Sequence, residues 1–479
     1  MGYKIYNIYA IVAIATLGGF LFGTDVSSLS AFVADERYLS YFNHPSSAMQ
    51  GVIMAGMPIG ALFGALGSGS ASDVIGRNKA LQSALAFWYI GSILAITCQN
   101  TAMLIAARVV KGVAVGATSS QIPTYIVELA PDRIRGRLVA LQQWSITWGI
   151  LVMFYVAYGC SYIPGTWSFR AAWAIQLLPA ILMSSLLPLI PESPHWLAQH
   201  GHKDQAIETL EGLLPPDEVA VAISDLELSA SRQESIPFGA AVRQLFSRKM
   251  ISRTVIGVSM QVWSQMTGCN ALMYYIVFIC QMAGLSGNTM LISSSIQYVV
   301  NMAATIPAVL WIDSAGRRKV IVGGFLCMAI CLSLTAGLMG GMGRYTDSVA
   351  GNPHIHWIVE GPAAYLSIAF SMLFVAFFAC SIAPLSWIYP SEIFPLRTRA
   401  VANGVSVSTN WLMNSLLAFY VPPAFENIQW KTFLIFATFC IVAALQALFT
   451  FPETRGVPLE NVEQINMQLS MWQLKQIHD

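Results

Sequence analysis

Long apolar runs, separated by short polar segments, cover most of the chain. Each run is about as long as the roughly 20 residues that a helix needs to cross the hydrocarbon core of a bilayer. The runs lie near residues 8–33, 50–71, 80–98, 101–127, 138–160, 171–190, 254–279, 288–312, 320–341, 361–390, 400–421 and 432–451. Helices are expected because lipid offers no partner to an unpaired backbone group, and alternating barrel strands would be shorter and less uniformly apolar. The pattern predicts an all-α membrane protein with twelve transmembrane helices.

One long polar stretch, residues 191–253, divides these runs into two sets of six. Within it, residues 202–214 and 216–228 have the pattern of short amphipathic helices that lie at a membrane surface. The predicted organisation has four parts: a six-helix half, a linker with short helices, a second six-helix half and a tail. Their boundaries are 1–190, 191–253, 254–452 and 453–479.

The charged residues of the loops predict the orientation of the chain. Lys and Arg concentrate on one side, which should be cytoplasmic. That side carries Arg77, Lys79, Arg133, Arg135, Arg137, residues 191–253, Arg317, Arg318, Lys319, Arg397 and Arg399, whereas Arg37, Arg170, Arg344 and Lys431 lie on the other side. Both termini are therefore expected in the cytoplasm. The first run is longer than the apolar region of a signal peptide, and without an organelle signal the plasma membrane is the expected location.

The composition excludes other classes of protein. Hydrophobic residues make up 56% of the chain and charged residues 10%, whereas a soluble domain is about 25% charged. The net charge is +1, and the sequence has no cluster of basic residues that could form a nucleic-acid-binding arm. The expected partner is therefore the lipid bilayer and not nucleic acid. The eight cysteines form no Cys-x-x-Cys pair, and we interpret them as small buried hydrophobes. No metal site, cofactor or set of catalytic residues is predicted.

Three short motifs occur twice, once in each half and in the same order, at offsets of 240, 264 and 261 residues. The pairs are Asp73–Lys79 with Asp313–Lys319, Glu128–Arg135 with Glu392–Arg399, and Pro191–Pro194 with Pro452–Arg455. Each motif alone is weak, but three in register indicate an internal duplication. Two halves of the same orientation are related by an axis along the membrane normal, with the substrate bound between them near mid-membrane.

These motifs and several others resemble those of the sugar porter family of the major facilitator superfamily, in particular its fungal members. The resemblance runs from Gly19 to Gly456. It includes Arg-x-x-x-Gly-x-x-x-Gly at Arg108, Gly112 and Gly116, then Pro191–Leu197, Gln265–Asn270 followed by Tyr274 and Tyr275, and Pro452–Gly456. It implies two six-helix halves with pseudo-two-fold symmetry. It also implies a monomeric secondary transporter that carries a monosaccharide, a hexose or pentose, by alternating access with proton symport.

Charged residues recur at matching turns of the two halves, which favours ion pairs between neighbouring helix ends and between the halves. The resemblance implies that this network holds the cytoplasmic side shut. Its expected members are Asp73, Arg77, Glu128, Arg135, Glu192, Asp313, Arg317, Arg318, Glu392, Arg399 and Glu453. The first copy departs from the usual Gly-Arg-Arg because Asn78 takes the place of the second Arg, a change expected to soften that lock.

Amide and aromatic side chains inside the runs have the chemistry of a sugar site. Gln and Asn both donate and accept hydrogen bonds, as a hydroxyl does, and Trp offers a flat face to a sugar ring. By resemblance the sugar-contacting residues are Gln143, Gln265, Asn270, Tyr274, Asn301, Trp387, Asn410 and Trp411. Ser264, Ala383 and Asn410 depart from the family pattern, so the identity of the sugar stays open. Gly268, Ala383–Pro384 and Pro390 are expected to let their spans bend.

Asp25 is deep in the first run, where an ionised carboxylate is costly unless it is paired, protonated or exposed to water. Arg108 in the fourth run is its expected partner. Lys111 lies near the same face as Arg108, and a capping or snorkelling role is open for it. By resemblance, an Asp here with an Arg in the fourth span marks proton-linked porters. A fixed buried ion pair is the alternative.

Other functions on the same fold stay open at this point. A passive sugar facilitator differs only in energetics, and a transporter of a polyol or related polar metabolite differs only in its substrate. A non-transporting sugar receptor is disfavoured, because such receptors carry long signalling tails and 27 residues follow Pro452 here.

Overall fold

A computed structural model describes residues 4–455, except for residues 30–31, 33–35, 217, 221, 225–237, 275–278, 281, 284–286, 347–348, 350–355 and 396–397. In this part of the chain, ten helices are long and apolar enough to cross a membrane. The seventh run is outside that count because its helix is broken at Thr267 and Gly268, and the eleventh because its helix carries many Asn and Ser side chains. Each predicted run nevertheless forms helix, which confirms the all-α, twelve-span architecture.

The spans have the following bounds. Those of the first half are Ile8–Ser28, Ser47–Ile75, Arg77–Ile96, Thr101–Leu129, Arg135–Cys160, and a sixth made of Trp167–Ile175, Leu177–Leu186 and the 3-10 turn Leu187–Leu189. Those of the second half are Ile251–Met266 continued by Cys269–Tyr274, Gly287–Ala315, Arg317–Met342, Pro362–Cys380 continued by Ile382–Ile393, Arg399–Asn427 and Lys431–Thr450.

Shorter elements connect the spans. The helices are Glu36–Tyr41, Asp132–Ile134, Pro194–Gln199, Lys203–Leu213 and Phe238–Leu245. Between the ninth and tenth spans, β1 (Gly343–Tyr345) pairs antiparallel with β2 (Trp357–Val359). A helix thus occupies most of residues 202–214, where one is expected, whereas residues 216–228 lie partly outside the described residues.

A glycine separates two spans in each copy of the Asp73–Lys79 motif. Gly76 and Gly316 have φ angles of +97° and +81°, a region that favours glycine. A Cβ atom at Gly316 would also lie 3.0 Å from a carboxylate oxygen of Glu453, and one at Gly76 would meet the carboxylate of Glu192. The glycine therefore allows the sharp turn and leaves room for a carboxylate to reach the start of the next helix.

Two spans are broken, and each break has a local cause. In the seventh, Gly268 has a φ of +82°, and a Cβ there would lie 2.6 Å from the ring of Phe436. In the tenth, the helix breaks at Ser381. Pro384 has no N–H to donate to the carbonyl of Cys380, so the helical ladder is interrupted just before the proline. The bend expected at Ala383–Pro384 is therefore displaced to Ser381, and Pro390 lies within the continuing helix.

The two halves pack together along the second and eleventh spans. A Cβ on Gly69 would lie 2.7 Å from the carbonyl oxygen of Ala400. At the opposite end of the same helices, a Cβ on Gly51 would lie 3.7 Å from that of Ala418. The fifth and eighth spans also meet, with the rings of Phe154 and Tyr298 5.2 Å apart. The halves therefore contact each other at both ends of the bundle.

Candidate functional site

The duplicated motifs lie at one end of the helix bundle, which we call the motif end (Asp73–Arg77 and Asp313–Arg317). Arg77 is the centre of a buried ion-pair network at this end. Its guanidinium donates to the two carboxylate oxygens of Glu128 at 3.2 and 3.1 Å and to Oδ1 of Asp73 at 2.6 Å. The hydroxyl of Ser193 donates to Glu128 as well. The Arg77 and Glu128 side chains are 5% and 3% exposed, so this two-bond pair is well shielded from water.

Glu192 holds the start of the third span. Its carboxylate accepts the backbone N–H groups of Arg77 at 2.8 Å and of Asn78 at 3.1 Å, where the helix dipole favours an anion. Burial raises the pKa of the Glu192 carboxyl, although these N–H donors and Arg77 oppose that shift.

Asn78 ties the third span to the sixth. Its side-chain amide donates to the carbonyl oxygens of Leu187 at 2.7 Å and Ile190 at 3.1 Å. The residue that was expected to soften the lock therefore bonds the spans of the first half together.

The second half repeats this arrangement with the equivalent residues. Arg317 donates to both carboxylate oxygens of Glu392, at 3.3 and 3.0 Å, and to Asp313 at 3.1 Å. The hydroxyl of Thr454 donates to Glu392 at 2.7 Å, as Ser193 does to Glu128. Glu453 accepts the backbone N–H groups of Arg317 at 2.8 Å and Arg318 at 3.1 Å. The duplication seen in the sequence is thus also a duplication of contacts.

Hydrogen bonds also join the two halves at the motif end. The backbone N–H of Arg137, in the fifth span, donates to Oδ2 of Asp313 at 2.9 Å. The amide of Asn403, in the eleventh span, donates to the carbonyl of Ser120 at 2.8 Å and to the hydroxyl of Thr124 at 3.1 Å. Asp313 therefore belongs both to the network of its own half and to the contact between halves.

The remaining predicted members of the network lie at the same end. Arg399 is buried and its guanidinium donates to the carbonyl of Phe394 at 3.2 and 3.1 Å. Arg318 donates to the carbonyl of Leu448. Arg135 is buried at the start of the fifth span. The principal partners of Glu128 and Glu392 are Arg77 and Arg317, each at the start of the span that precedes the one carrying the glutamate.

A second charged cluster is buried between the first and fourth spans. Oδ1 of Asp25 lies 2.5 Å from Nζ of Lys111, and Oδ2 lies 3.6 Å from the guanidinium of Arg108. The side chains of Asp25, Lys111 and Arg108 are 1%, 3% and 6% exposed. Lys111 also donates to Oε1 of Gln176 and lies 4.5 Å from the centre of the Trp88 ring. Arg108 takes the expected place, but Lys111 is the nearer partner and does not snorkel.

Amide side chains of the seventh and eleventh spans form a continuous hydrogen-bonded chain. Asn270 donates to Gln265 at 2.7 Å, Gln265 to Asn410 at 2.8 Å, and Asn410 to Gln261 at 2.6 Å. Gln261 donates to the carbonyl of Ser386 at 2.7 Å, in the helix that follows the break in the tenth span. These four residues, which we call the amide chain, bring together three of the residues predicted for the sugar site.

Two predicted tryptophans bond across the interface of the halves. Nε1 of Trp387 donates to Gln143 at 2.9 Å, and Nε1 of Trp411 donates to the hydroxyl of Ser119 at 3.2 Å. The ring of Phe22 meets Trp411 edge-on at 5.0 Å. Trp411 therefore touches the first and fourth spans, which carry the Asp25 cluster.

Asn301 and Tyr274 are the remaining predicted site residues. Asn301 is buried in the eighth span, with its amide 4.0 Å from the sulfur of Met273. The side chain of Tyr274 and the whole of Tyr275 lie outside the described residues.

Sequence reasoning missed Gln261 and left Lys111 with only an open capping or snorkelling role. Gln261 is one helical turn before Gln265, so a search for amides at i and i+4 would have found it. It also missed two matched tyrosines. Each lies three residues before the network glutamate, and their hydroxyls donate to the carbonyls of Pro191 at 2.5 Å, from Tyr125, and Pro452 at 2.8 Å, from Tyr389.

Comparison with known proteins identifies the family. A family model described as sugar (and other) transporter matches residues 11–465. High-affinity glucose transporter 1 of Candida albicans is 40% identical, over 96% of this chain and 86% of that protein. The proton:xylose symporter XylE bound to 6-bromo-6-deoxy-D-glucose superposes with a TM-score of 0.82 at 27% identity, covering 95% of this chain and 98% of that one.

XylE from E. coli in its inward-open conformation superposes less closely, with a TM-score of 0.71 at 26% identity and coverage of 95% and 99%. That difference agrees with the contacts between the halves at the motif end. The relatives are transporters and not enzymes, and the apolar spans match that function. The chain is a multi-pass membrane protein that belongs to the sugar porter family of the major facilitator superfamily.

Proposed function

We propose that this protein is a proton-coupled hexose transporter of the plasma membrane that works as a monomer by alternating access. The observation that carries the coupling is the buried Asp25 carboxylate between Lys111 and Arg108. A charged cluster so far from water is costly to maintain in a membrane protein, and such residues commonly belong to ion or proton pathways. The relatives support the substrate class, since one is a glucose transporter and another a proton:xylose symporter.

The amide chain supports the proposed sugar site. Its members offer both donors and acceptors to sugar hydroxyls, and Trp387 and Trp411 lie at the same interface between the halves. Gln143, Asn301 and Tyr274 complete the proposed set of sugar contacts. On binding, a hydroxyl would take over bonds that the amides make with one another, so few polar groups would lose a partner.

Contacts of Trp411 suggest how sugar and proton sites communicate. Its ring packs against Phe22, which is three residues before Asp25 in the first span. Its Nε1 bonds to Ser119 in the fourth span, which carries Arg108 and Lys111. A sugar that moves Trp411 would therefore shift the two helices that form the Asp25 cluster. Such coupling requires that sugar and proton both favour the same arrangement of these helices.

The motif end is proposed to face the cytoplasm, together with both termini, because the basic loops lie there. In this orientation the networks around Arg77 and Arg317 form the inner gate. Each network joins spans within one half, so each half moves as a unit. Opening then requires only the contacts between halves to break, including that of Arg137 with Asp313.

Glu392→Gln should shift the transporter towards its inward-open state. The amide removes the negative charge that holds Arg317, and Arg317 also positions Asp313 for the contact with the other half. A cysteine placed at Ser120 should then react severalfold faster with an impermeant thiol reagent added from the cytoplasmic side. The matched control is Glu360→Gln, which breaks an exposed ion pair on the other side, worth about 0–1 kcal/mol at most. Unchanged labelling in Glu392→Gln would remove this residue from the gate.

Uptake of a panel of labelled hexoses, pentoses and polyols into proteoliposomes tests the proposed function. With an acidic exterior, a hexose should accumulate above its external concentration, and a protonophore should abolish that accumulation. Uptake that only equilibrates, with or without the gradient, would identify a passive facilitator. Accumulation of a pentose or polyol in place of every hexose would retain the coupling and correct the substrate.

A further inference from the structure

The proposed coupling site contains two cations for one carboxylate. Nζ of Lys111 lies 2.5 Å from Oδ1 of Asp25 and donates to Gln176, and the stem of Lys111 fits against Gly91, where a Cβ would lie 2.5 Å from Cγ of the lysine. The ring of Trp88 covers the ammonium at 4.5 Å. The chain therefore builds a fitted, buried place for this lysine, which a chance or snorkelling side chain would not have.

Counting charges shows which group exchanges a proton most readily. With Asp25 ionised and both cations protonated, the cluster has a net charge of +1. Protonation of Asp25 would raise it to +2, whereas loss of a proton from Lys111 would leave a neutral cluster. Burial of net charge is costly, so the second change is favoured. Arg108 is excluded because a guanidinium keeps its proton in proteins.

Few other groups face this cluster from the elements packed against it. In the part of the chain that the structure describes, the third and sixth spans contribute the uncharged Trp88 and Gln176. The helix Glu36–Tyr41 contributes Tyr38, which is close enough to Arg108 for the guanidinium to oppose the effect of burial on its phenol. Burial nevertheless raises the pKa of Tyr38 to about 12, so the phenol stays neutral and exchanges no proton at working pH.

We propose that Lys111 is the residue that carries the coupled proton, with Asp25 as its fixed counter-ion. This inference rests on the proposed proton symport. In the loaded state the Lys111 ammonium is paired with the Asp25 carboxylate and donates to Gln176. On release, one N–H bond of the ammonium breaks, the proton leaves to water, and the electron pair stays on Nζ. Asp25 remains a carboxylate paired with Arg108, and the neutral amine keeps N–H groups for both acceptors.

Lys111→Met tests this assignment by the direction of a pH shift. An amine binds its proton far more tightly than a carboxylate, with ordinary pKa values of about 10.4 and about 3.9. If Lys111 carries the proton, its loss leaves Asp25 beside Arg108 as a weaker site. The midpoint of pH-dependent sugar uptake should then fall by about one pH unit or more, a tenfold loss of proton affinity. If Lys111 is only a fixed cation, its removal should raise the midpoint, and that result or an unchanged midpoint would overturn the proposal.

Lys111→Arg gives a second test that keeps the positive charge. Arginine cannot release its proton, so gradient-driven accumulation should be lost while sugar exchange continues. This variant decides the question if Lys111→Met does not fold, and accumulation with the wild-type pH profile would refute the proposal. Lys431→Met is the control, because it removes a lysine that lies over the Trp430 ring at 6.0 Å outside this cluster. A wild-type protein indifferent to the gradient would instead refute the proposed symport itself.

Discussion

Asp25→Asn is expected to abolish sugar accumulation driven by a pH gradient while sugar exchange persists. Asparagine keeps the shape of the side chain but leaves Lys111 and Arg108 without their carboxylate. Lys111 would then be driven to its neutral form, and no group of the cluster would change its proton count during the cycle. The loss is predicted whether the coupled proton resides on Asp25 or on Lys111. Accumulation and exchange of labelled sugar in proteoliposomes measure the two activities separately.

The control for this substitution is Asp204→Asn, which removes an exposed carboxylate from the linker helix Lys203–Leu213. It should accumulate sugar as the wild type does. Removing one partner of a buried ion pair costs about 3–5 kcal/mol of stability, so Asp25→Asn should also yield less folded protein. Rates are therefore compared per folded molecule, with exchange as the measure of folding. Accumulation that survives in Asp25→Asn would mean that this cluster is a structural ion pair.

Asn410→Ala is expected to weaken sugar binding by about 1–3 kcal/mol, or roughly 5- to 150-fold, the cost of unmatched buried polar groups. Asn410 is the central link of the amide chain, since it accepts from Gln265 and donates to Gln261. Its truncation removes one proposed sugar contact and releases two neighbours from their positions. Gln265→Ala should have an effect of similar size for the same reason. Calorimetric titration of the purified protein with glucose measures both.

Asn427→Ala is a matched control on the same span. Asn427 is exposed, and its amide donates only to the nearby carbonyl of Pro423 among the described contacts. Its substitution should leave the affinity within twofold of the wild type. Equal affinities for Asn410→Ala, Gln265→Ala and the wild type would place the sugar elsewhere in the bundle.

The duplication in the sequence indicates that the motif end is built twice. Because Asp73–Lys79 and Glu128–Arg135 recur in order, their copies had to occupy equivalent places in two similar halves. The pairing of Glu128 with Arg77, and of Glu392 with Arg317, follows from the packing of neighbouring span ends. Sequence spacing alone does not give that packing, because Glu128 lies near Arg135 in the chain but contacts Arg77 in space.

The Asp25 cluster, in contrast, could be predicted from the sequence only in part. A carboxylate in an apolar run is visible in the sequence, and Arg108 follows from family resemblance. The nearer partner, Lys111, depends on three features contributed by other helices: the space at Gly91, the ring of Trp88 and the acceptor of Gln176. None of these has a fixed distance from Lys111 along the chain. The bend of the tenth span was similarly expected at Ala383–Pro384, a few residues after the break that the structure has at Ser381. The reason is that the carbonyl without a donor, that of Cys380, comes before the proline.

The amide chain has a kinetic consequence. A carrier that delivers net uptake must return to its outward-facing state without bound sugar. Any buried polar group left without a partner during that conformational change would raise its free-energy barrier by about 1–3 kcal/mol. Asn270, Gln265, Asn410 and Gln261 supply partners for one another, so the unloaded carrier meets no such obstacle from these side chains. The unloaded return and the loaded exchange step should therefore have similar rates, and adding sugar to the far side of the membrane should accelerate uptake only slightly.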